Sequence, residues 1–210
     1  MSSDLYTTSR KVLMSGVDVS SPGQKGKINW DVLRDNVDFA VIRVGDPYEG
    51  ADWTDDYWEH NYSEARRVGM NIGAYWFARC TTVEEARTEA QECIKNLAGK
   101  NFEFPVYMDV EDHDLFASDD LSEIIITFCE EIKAAGYTPG LYANLDTLRT
   151  AIDSSLHQKY ALWVAQYNNE FNYYGAAGMW QYSETGRVNG ISGAVDLDYC
   201  YVDYPSIIGK

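Results

Sequence analysis

Basic residues are scarce in this chain of 210 residues: 17 Lys and Arg stand against 33 Asp and Glu, a formal net charge of −16. That balance argues against nucleic acid or anionic membrane as a partner, because phosphate binding needs clustered Lys and Arg. No run of about 18 apolar residues occurs, which argues against any membrane-spanning helix. The first eleven residues lack the apolar centre of a signal peptide. The four cysteines, Cys80, Cys93, Cys129 and Cys200, form no C-x-x-C pair. Neither a zinc site nor thioredoxin-like chemistry is expected, and the thiols read as unpaired. There is no G-x-S-x-G and no H-E-x-x-H, so serine-nucleophile and zinc-protease signatures are missing. Glu111-Asp-His-Asp114 offers oxygen ligands and one imidazole, but neighbouring strand residues face opposite ways. No metal and no cofactor are expected.

What is present is a globular composition, 45% hydrophobic and 14% aromatic, on a chain long enough for one sizeable core. The 16 Tyr and six Trp could line a carbohydrate groove or fill that core. Apolar runs rich in strand formers occupy residues 12–19, 38–44, 71–77, 104–110, 139–143, 160–167, 178–182 and 194–201. Helical segments separate the early runs. One is short (28–33), one ends near Gly69, and one starts at Thr82 with Glu85 completing a capping box. A fourth spans 120–135 and is closed by Gly136, and a short fifth covers 146–152. Polar loops fall at 20–26 and 46–52, and only irregular polar segments divide the last three runs. Asn61-Tyr-Ser63 matches a glycosylation sequon. The pattern predicts an α/β fold, an irregular TIM-like β/α barrel with about eight strands and fewer than eight helices. Residues 1–11 read as an N-terminal arm and 12–210 as a single catalytic domain.

The acids point to chemistry. Asp109 and Glu111 stand two residues apart in the fourth run, which places both on one strand face with Cα atoms about 7 Å apart. Asp18 lies in the first run, and Asp196 with Asp198 in the eighth. In a barrel, the C-terminal strand ends share one mouth, and strands one and eight are neighbours. Asp18 can then approach Asp196, and carboxylates from distant parts of the chain converge. Like-charge neighbours and burial raise a carboxyl pKa, as a general acid requires. Tyr75, Tyr107, Tyr142, Asn144, Gln166, Tyr167, Trp180 and Gln181 lie in or just after strands. They are candidates for stacking on sugars or bonding acetamido groups, with Asp198 in a supporting place. Arg43 reads as half of a buried ion pair.

Several segments occur together in a recognisable order: Gly16-Val-Asp-Val-Ser20, Asp38-Phe-Ala-Val-Ile-Arg-Val-Gly45, Gly73-Ala-Tyr75, Tyr107-Met-Asp-Val-Glu-Asp112, Gly140-Leu-Tyr-Ala-Asn144, Leu162-Trp-Val-Ala-Gln-Tyr167, Trp180-Gln-Tyr-Ser183 and Gly193-Ala-Val-Asp-Leu-Asp198. In these the chain resembles glycoside hydrolase family 25, the N-acetylmuramidase lysozymes, over roughly residues 12 to 202. The resemblance implies an irregular β/α barrel that hydrolyses the β-1,4 bond between N-acetylmuramic acid and N-acetylglucosamine. It implies Glu111 as general acid, Asp109 assisting, Asp18 and Asp196 completing an acidic floor, and retention of anomeric configuration. One departure is visible, Trp76 where many relatives carry His. The expected partner is bacterial peptidoglycan, met by a monomer acting on the cell wall, extracellular or phage-released. Two other readings are a barrel that binds wall or chitin-like glycans without cutting them, and a chitinase-like hydrolase. The intact Asp109 and Glu111 speak against the first, and only pocket shape separates the second.

Overall fold

The computed structural model describes residues 3–21, 28–48 and 52–209. Eight strands close into one barrel in chain order: β1 (Met14–Val19), β2 (Phe39–Gly45), β3 (Asn71–Phe77), β4 (Val106–Asp109), β5 (Pro139–Asn144), β6 (Ala161–Ala165), β7 (Met179–Gly186) and β8 (Val195–Cys200). Among the described residues there are seven α-helices: α1 (Trp30–Leu33), α2 (Trp58–Arg67), α3 (Val83–Leu97), α4 (His113–Phe116), α5 (Leu121–Ala134), α6 (Leu145–Thr150) and α7 (Tyr204–Ile208). The fold is thus the α/β barrel with fewer than eight helices that the sequence predicts. Strands β1 to β7 run parallel, while β8 is antiparallel to both β7 and β1. The cause is the missing crossover. Only residues 187–194 join β7 to β8, and a connection without a helix returns the chain as a hairpin.

Strand alternation builds two apolar layers. Val17, Ile42, Ala74, Trp76, Met108, Leu141 and Val164 face outward, in one cluster with buried residues of α1, α2, α3, α5 and α6. Phe39, Val41, Tyr75, Tyr107, Tyr142, Trp163 and Met179, offset by one residue, fill the barrel. Two strand glycines make room for interior rings. A Cβ on Gly16 would stand 2.4 Å from Phe39, and one on Gly140 would stand 2.2 Å from Tyr107. The expected capping box at α3 is formed. Thr82 Oγ1 accepts from Glu85 N at 3.2 Å, and Glu85 Oε2 accepts from Thr82 N at 3.1 Å. A cap of this kind stabilises a helix by about 1 kcal/mol.

Two details differ from the sequence reading. Strand β4 ends at Asp109, so Glu111 stands beyond the strand, on the turn into α4. The short helices α4 and α7, of four and five residues, were not anticipated, since one turn carries no periodic signal. The N-terminal segment is tied down: Thr7 bridges Ala177, and Arg10 Nη2 donates to the carbonyls of Tyr173 at 2.8 Å and Gly175 at 2.6 Å. Asn61 of the sequon is fully buried on α2, closed to glycosylation in the folded chain. All four cysteines are buried free thiols. No described helix is long and apolar enough to cross a membrane. Most of the expected 20–26 loop and the centre of the 46–52 loop lie outside the described residues.

Candidate active site

The inward-facing residues change character along the barrel axis. Phe39, Phe104, Tyr107, Met179, Cys200 and Tyr204 fill the lower interior. At the C-terminal strand ends the same parity delivers Asp18, Arg43, Tyr75, Asp109 and Gln181. Together with Glu111, Tyr142, Trp163, Tyr167, Glu184 and Asp196 they line a cavity of about 280 Å³. Hollows of about 410 and 340 Å³ lie elsewhere, one at the opposite barrel end around Phe102 and Tyr137, the other beside Arg79. We assign the chemistry to the smaller cavity, where five carboxyls from four parts of the chain meet.

The pairing register explains that convergence. Asp18 on β1 is the direct cross-strand partner of Asp196 on β8, and Asp109 closes β4 across the barrel. Asp18 is buried, and Gln181 Nε2 donates to its Oδ2 at 2.7 Å. Gln181 Oε1 accepts from the hydroxyls of Tyr142 at 2.8 Å and Tyr167 at 3.0 Å. Trp163 Nε1 donates to Asp198 Oδ1 at 2.8 Å beneath the floor, and Asp198 is wholly buried. Arg43 Nε donates to Asp55 Oδ2 at 2.9 Å, the buried ion pair expected of it, while its guanidinium also reaches the cavity wall. Asp109 Oδ1 is buried and has no hydrogen-bond partner among the described residues.

Electrostatics follow from this crowding. Burial first, then the charges of Asp198 and Asp196, push the Asp18 carboxyl well above the ordinary range, against the hydrogen bond from Gln181. Burial and the neighbouring Glu111 do the same to Asp109, opposed by Arg43. Asp196 is pushed up to about 6, by burial first, with Glu184 adding to it and a bond from Asp18 opposing. Glu111 reaches solvent at the mouth, yet the walls remove enough water to raise its carboxyl, with Asp196 and Glu184 adding and Arg79 opposing. Carboxyls this close cannot all ionise together, so the site holds protons at pH values where free carboxylates have lost theirs. That is the condition for general-acid chemistry.

Of the sequence candidates, the cavity gathers Asp18, Asp109, Glu111, Asp196, Tyr75, Tyr142, Tyr167 and Gln181. The others sit elsewhere. Tyr107 is fully buried under Trp163, with ring centroids 5.1 Å apart, and Asp198 lies below the floor. Asn144 caps α6 by accepting from Thr147 N at 2.9 Å. Gln166 Oε1 accepts from Asn172 N at 2.8 Å, and Trp180 faces outward, stacked on Phe171. Trp76, at the position that departs from the resemblance, also faces outward, and its Nε1 donates to Glu89 Oε2 on α3 at 2.9 Å. His113 and Asp114 are exposed and pair with each other at 3.4 Å, and no group of three potential ligands that could hold a metal occurs among the described residues. Sequence reasoning missed Phe77, Trp163, Glu184 and Ser20. The first two share the parity of Tyr75 and Ala161, a signal that could have found them. Glu184 follows a register shift after Gln181, and simple alternation could not place it.

A sequence model of glycosyl hydrolases family 25 matches residues 17–191. An autolytic lysozyme of Clostridium acetobutylicum is 27% identical over 191 residues, covering 88% of this chain and 55% of that protein. The modular autolysin LytC of Streptococcus pneumoniae, solved with a synthetic peptidoglycan ligand, superposes with a TM-score of 0.79 at 26% identity. That match covers 90% of this chain and 46% of LytC. A bacterial lysozyme of Streptomyces coelicolor superposes with a TM-score of 0.73 at 27% identity, covering 89% and 91% of the two chains. The chain therefore spans about half the length of the first two proteins.

Proposed function

Since the chain belongs to glycosyl hydrolases family 25, we propose that it is a lysozyme-type hydrolase of bacterial peptidoglycan, cutting the β-1,4 bond between N-acetylmuramic acid and N-acetylglucosamine. One observation carries this reading: Glu111 and Asp109 share a cavity with Asp18 and Asp196, floored by Trp163 and rimmed by Tyr75, Tyr142 and Tyr167. Aromatic faces suit the apolar faces of sugar rings, and the coupled carboxyls suit glycosidic cleavage.

In this reading Glu111, at the mouth, gives its proton to the leaving glycosidic oxygen as the bond to the anomeric carbon breaks. Asp109, deeper and beside Arg43, either attacks the anomeric carbon as a carboxylate and forms a glycosyl ester, or steers the substrate's own acetamido oxygen to attack it and close an oxazolinium ring. Either route inverts the anomeric carbon twice and returns retained configuration. Water then attacks the anomeric carbon, displacing the Asp109 or acetamido oxygen, and passes a proton to the Glu111 carboxylate, which restores the acid. Asp18 and Asp196 complete the acidic floor, and Tyr142, Tyr167 and Gln181 fix one wall through their shared bonds.

Wild type and Glu111→Gln are to be compared for loss of turbidity of purified peptidoglycan, with the released ends identified by mass spectrometry. Clearing by wild type alone, with muramic acid at the new reducing ends, is the expected result. Equal clearing by both would remove Glu111 from the mechanism. Glucosamine reducing ends would move the reading toward a different bond, and an inverted first product in an NMR time course would refute retention.

A further inference from the structure

Glu111 lies past the end of β4, so strand pairing does not hold its backbone. Val110 N still donates to Tyr142 O at 2.9 Å on the strand side of Glu111, and the next residue, Asp112, holds the other side. Asp112 Oδ1 accepts from the backbone N–H groups of Asp114 at 3.0 Å and Leu115 at 3.3 Å, capping α4. Its other oxygen, Oδ2, accepts from Arg79 Nη1 at 2.6 Å. Arg79 in turn has little freedom. Nε and Nη2 fork onto Asp46 at 2.7 and 2.9 Å, and the guanidinium lies between the rings of Tyr48 and Phe77, at 4.2 and 4.4 Å from their centroids. Its backbone N–H donates to Glu89, the same carboxylate that Trp76 reaches. Asp46 follows β2, Arg79 follows β3 and Asp112 follows β4, so one guanidinium ties three adjacent strand ends together.

Arg79 itself is not part of the cavity wall, while Phe77, on which it stacks, and Glu111, next to its partner Asp112, both are. We propose that Arg79 is a positioning residue for the acid: through Asp112 it fixes where the Glu111 carboxyl stands relative to Asp109. The proposal rests on the lysozyme reading above and adds to it the group that sets the geometry. Only the planar fork of an arginine serves both Asp46 and Asp112 at once. A lysine keeps the charge but presents a single point donor. Misplacing a reacting group by about 1 Å costs about 100-fold in rate, so a partial loosening of this clamp falls on turnover, not on substrate affinity.

The test uses the whole chain on solubilised peptidoglycan fragments, with reducing ends counted to give kcat and KM. Four variants are compared with wild type: Arg79→Met, Arg79→Lys, Asp112→Ser (whose hydroxyl still caps α4) and the Met/Ser double variant. Both Arg79 variants and Asp112→Ser should lose about 10-fold or more in kcat with KM within about 2-fold. The double variant should be no slower than the worse single one, because both remove the same clamp. Thermal melting identifies any variant that fails to fold, and Arg79→Lys and Asp112→Ser carry the test if Arg79→Met does. Wild-type kcat in Asp112→Ser, full activity in Arg79→Lys, or a double loss equal to the product of the single losses would each overturn the proposal, with the lysozyme reading intact. An inactive wild type would remove both.

Discussion

Gln181 donates its amide hydrogen to Asp18 across 2.7 Å while its carbonyl oxygen accepts from Tyr142 and Tyr167. Two hydroxyl donors on one side and a carboxylate on the other leave a single way to seat the amide. One side chain thereby links β1, β5, β7 and the segment after β6. Gln181→Leu keeps the volume but strips two buried polar groups, Asp18 and Tyr142, and the half-exposed Tyr167 of their partner. Each buried unsatisfied group costs about 1–3 kcal/mol, with relaxation recovering part of the sum. Denaturant unfolding at neutral pH should show a loss of about 2–4 kcal/mol on that basis. Unchanged stability in Gln181→Leu would mean that these bonds add nothing. Gln181→Glu should approach wild type only at acid pH, where a proton can bridge it to Asp18.

Glu184 raises the carboxyls of both Glu111 and Asp196. A general acid works while protonated, so activity falls as pH rises through its pKa, and that pKa sets the alkaline limb of the rate profile. Glu184→Gln removes one of the charges holding Glu111 up. The alkaline limb of kcat/KM should therefore move to lower pH, and by less at high salt, because Glu184 is exposed and screened. Burial and Asp196 keep raising Glu111 in the variant, against Arg79, so the limb should shift without disappearing. A limb that stays in place would show that Glu184 is too well solvated to matter.

Much of this arrangement was legible beforehand because barrel parity is a period-two signal. The spacing of Asp18, Asp109 and Asp196 within apolar runs located three sides of the cavity, and β3 runs over the expected residues 71–77. Where regular pairing stops, the sequence became silent. The Asp109-x-Glu111 spacing suggested two residues on one strand face, but Glu111 stands on a turn held by Asp112 and Arg79, a contact 33 residues away in the chain. Glu184 escaped for a related reason, since a bulge shifts the register before it. Asn144, Gln166 and Trp180 sit at strand ends as expected, yet their bonds go to a helix cap, a loop and an aromatic stack. Position along a strand told where a side chain starts and left open which partner claims it.

Glu89 gives the fold itself a pH dependence. It is buried on α3, accepts from Trp76 Nε1 and the Arg79 backbone, and burial pushes its carboxyl up to about 7. A carboxyl raised on folding favours the folded state below its unfolded pKa, and that contribution is lost as pH rises through the folded value. For Glu89 the window runs from about 4.5 to about 7, and Asp196, up to about 6, acts in the same direction. At 1.36 kcal/mol per pH unit the loss assigned to Glu89 is of order 3 kcal/mol. Unfolding free energy should therefore fall between pH 5 and pH 8, and Glu89→Gln should flatten that fall. Parallel curves for the two proteins would show that Glu89 titrates normally.

The charge of the whole molecule bears on how it meets its substrate. With a net charge of −16, the chain is repelled by walls rich in anionic phosphate polymers. The repulsion reaches about 30 Å at 0.01 M salt and only about 8 Å at 0.15 M. Lysis of such walls should accordingly rise over that range, as screening lets the cavity approach the glycan. Two controls separate encounter from chemistry. Walls stripped of their phosphate polymers should show a smaller rise, since much of the opposing charge is gone. Soluble uncharged glycan fragments should show almost none, because only the local field of Asp18, Glu184 and Asp196 then acts on the substrate. A flat or falling profile on intact walls would mean that long-range repulsion does not limit encounter. A rise of equal size on all three substrates would place the salt effect in the cavity, where the crowded carboxyls are the groups it would act upon.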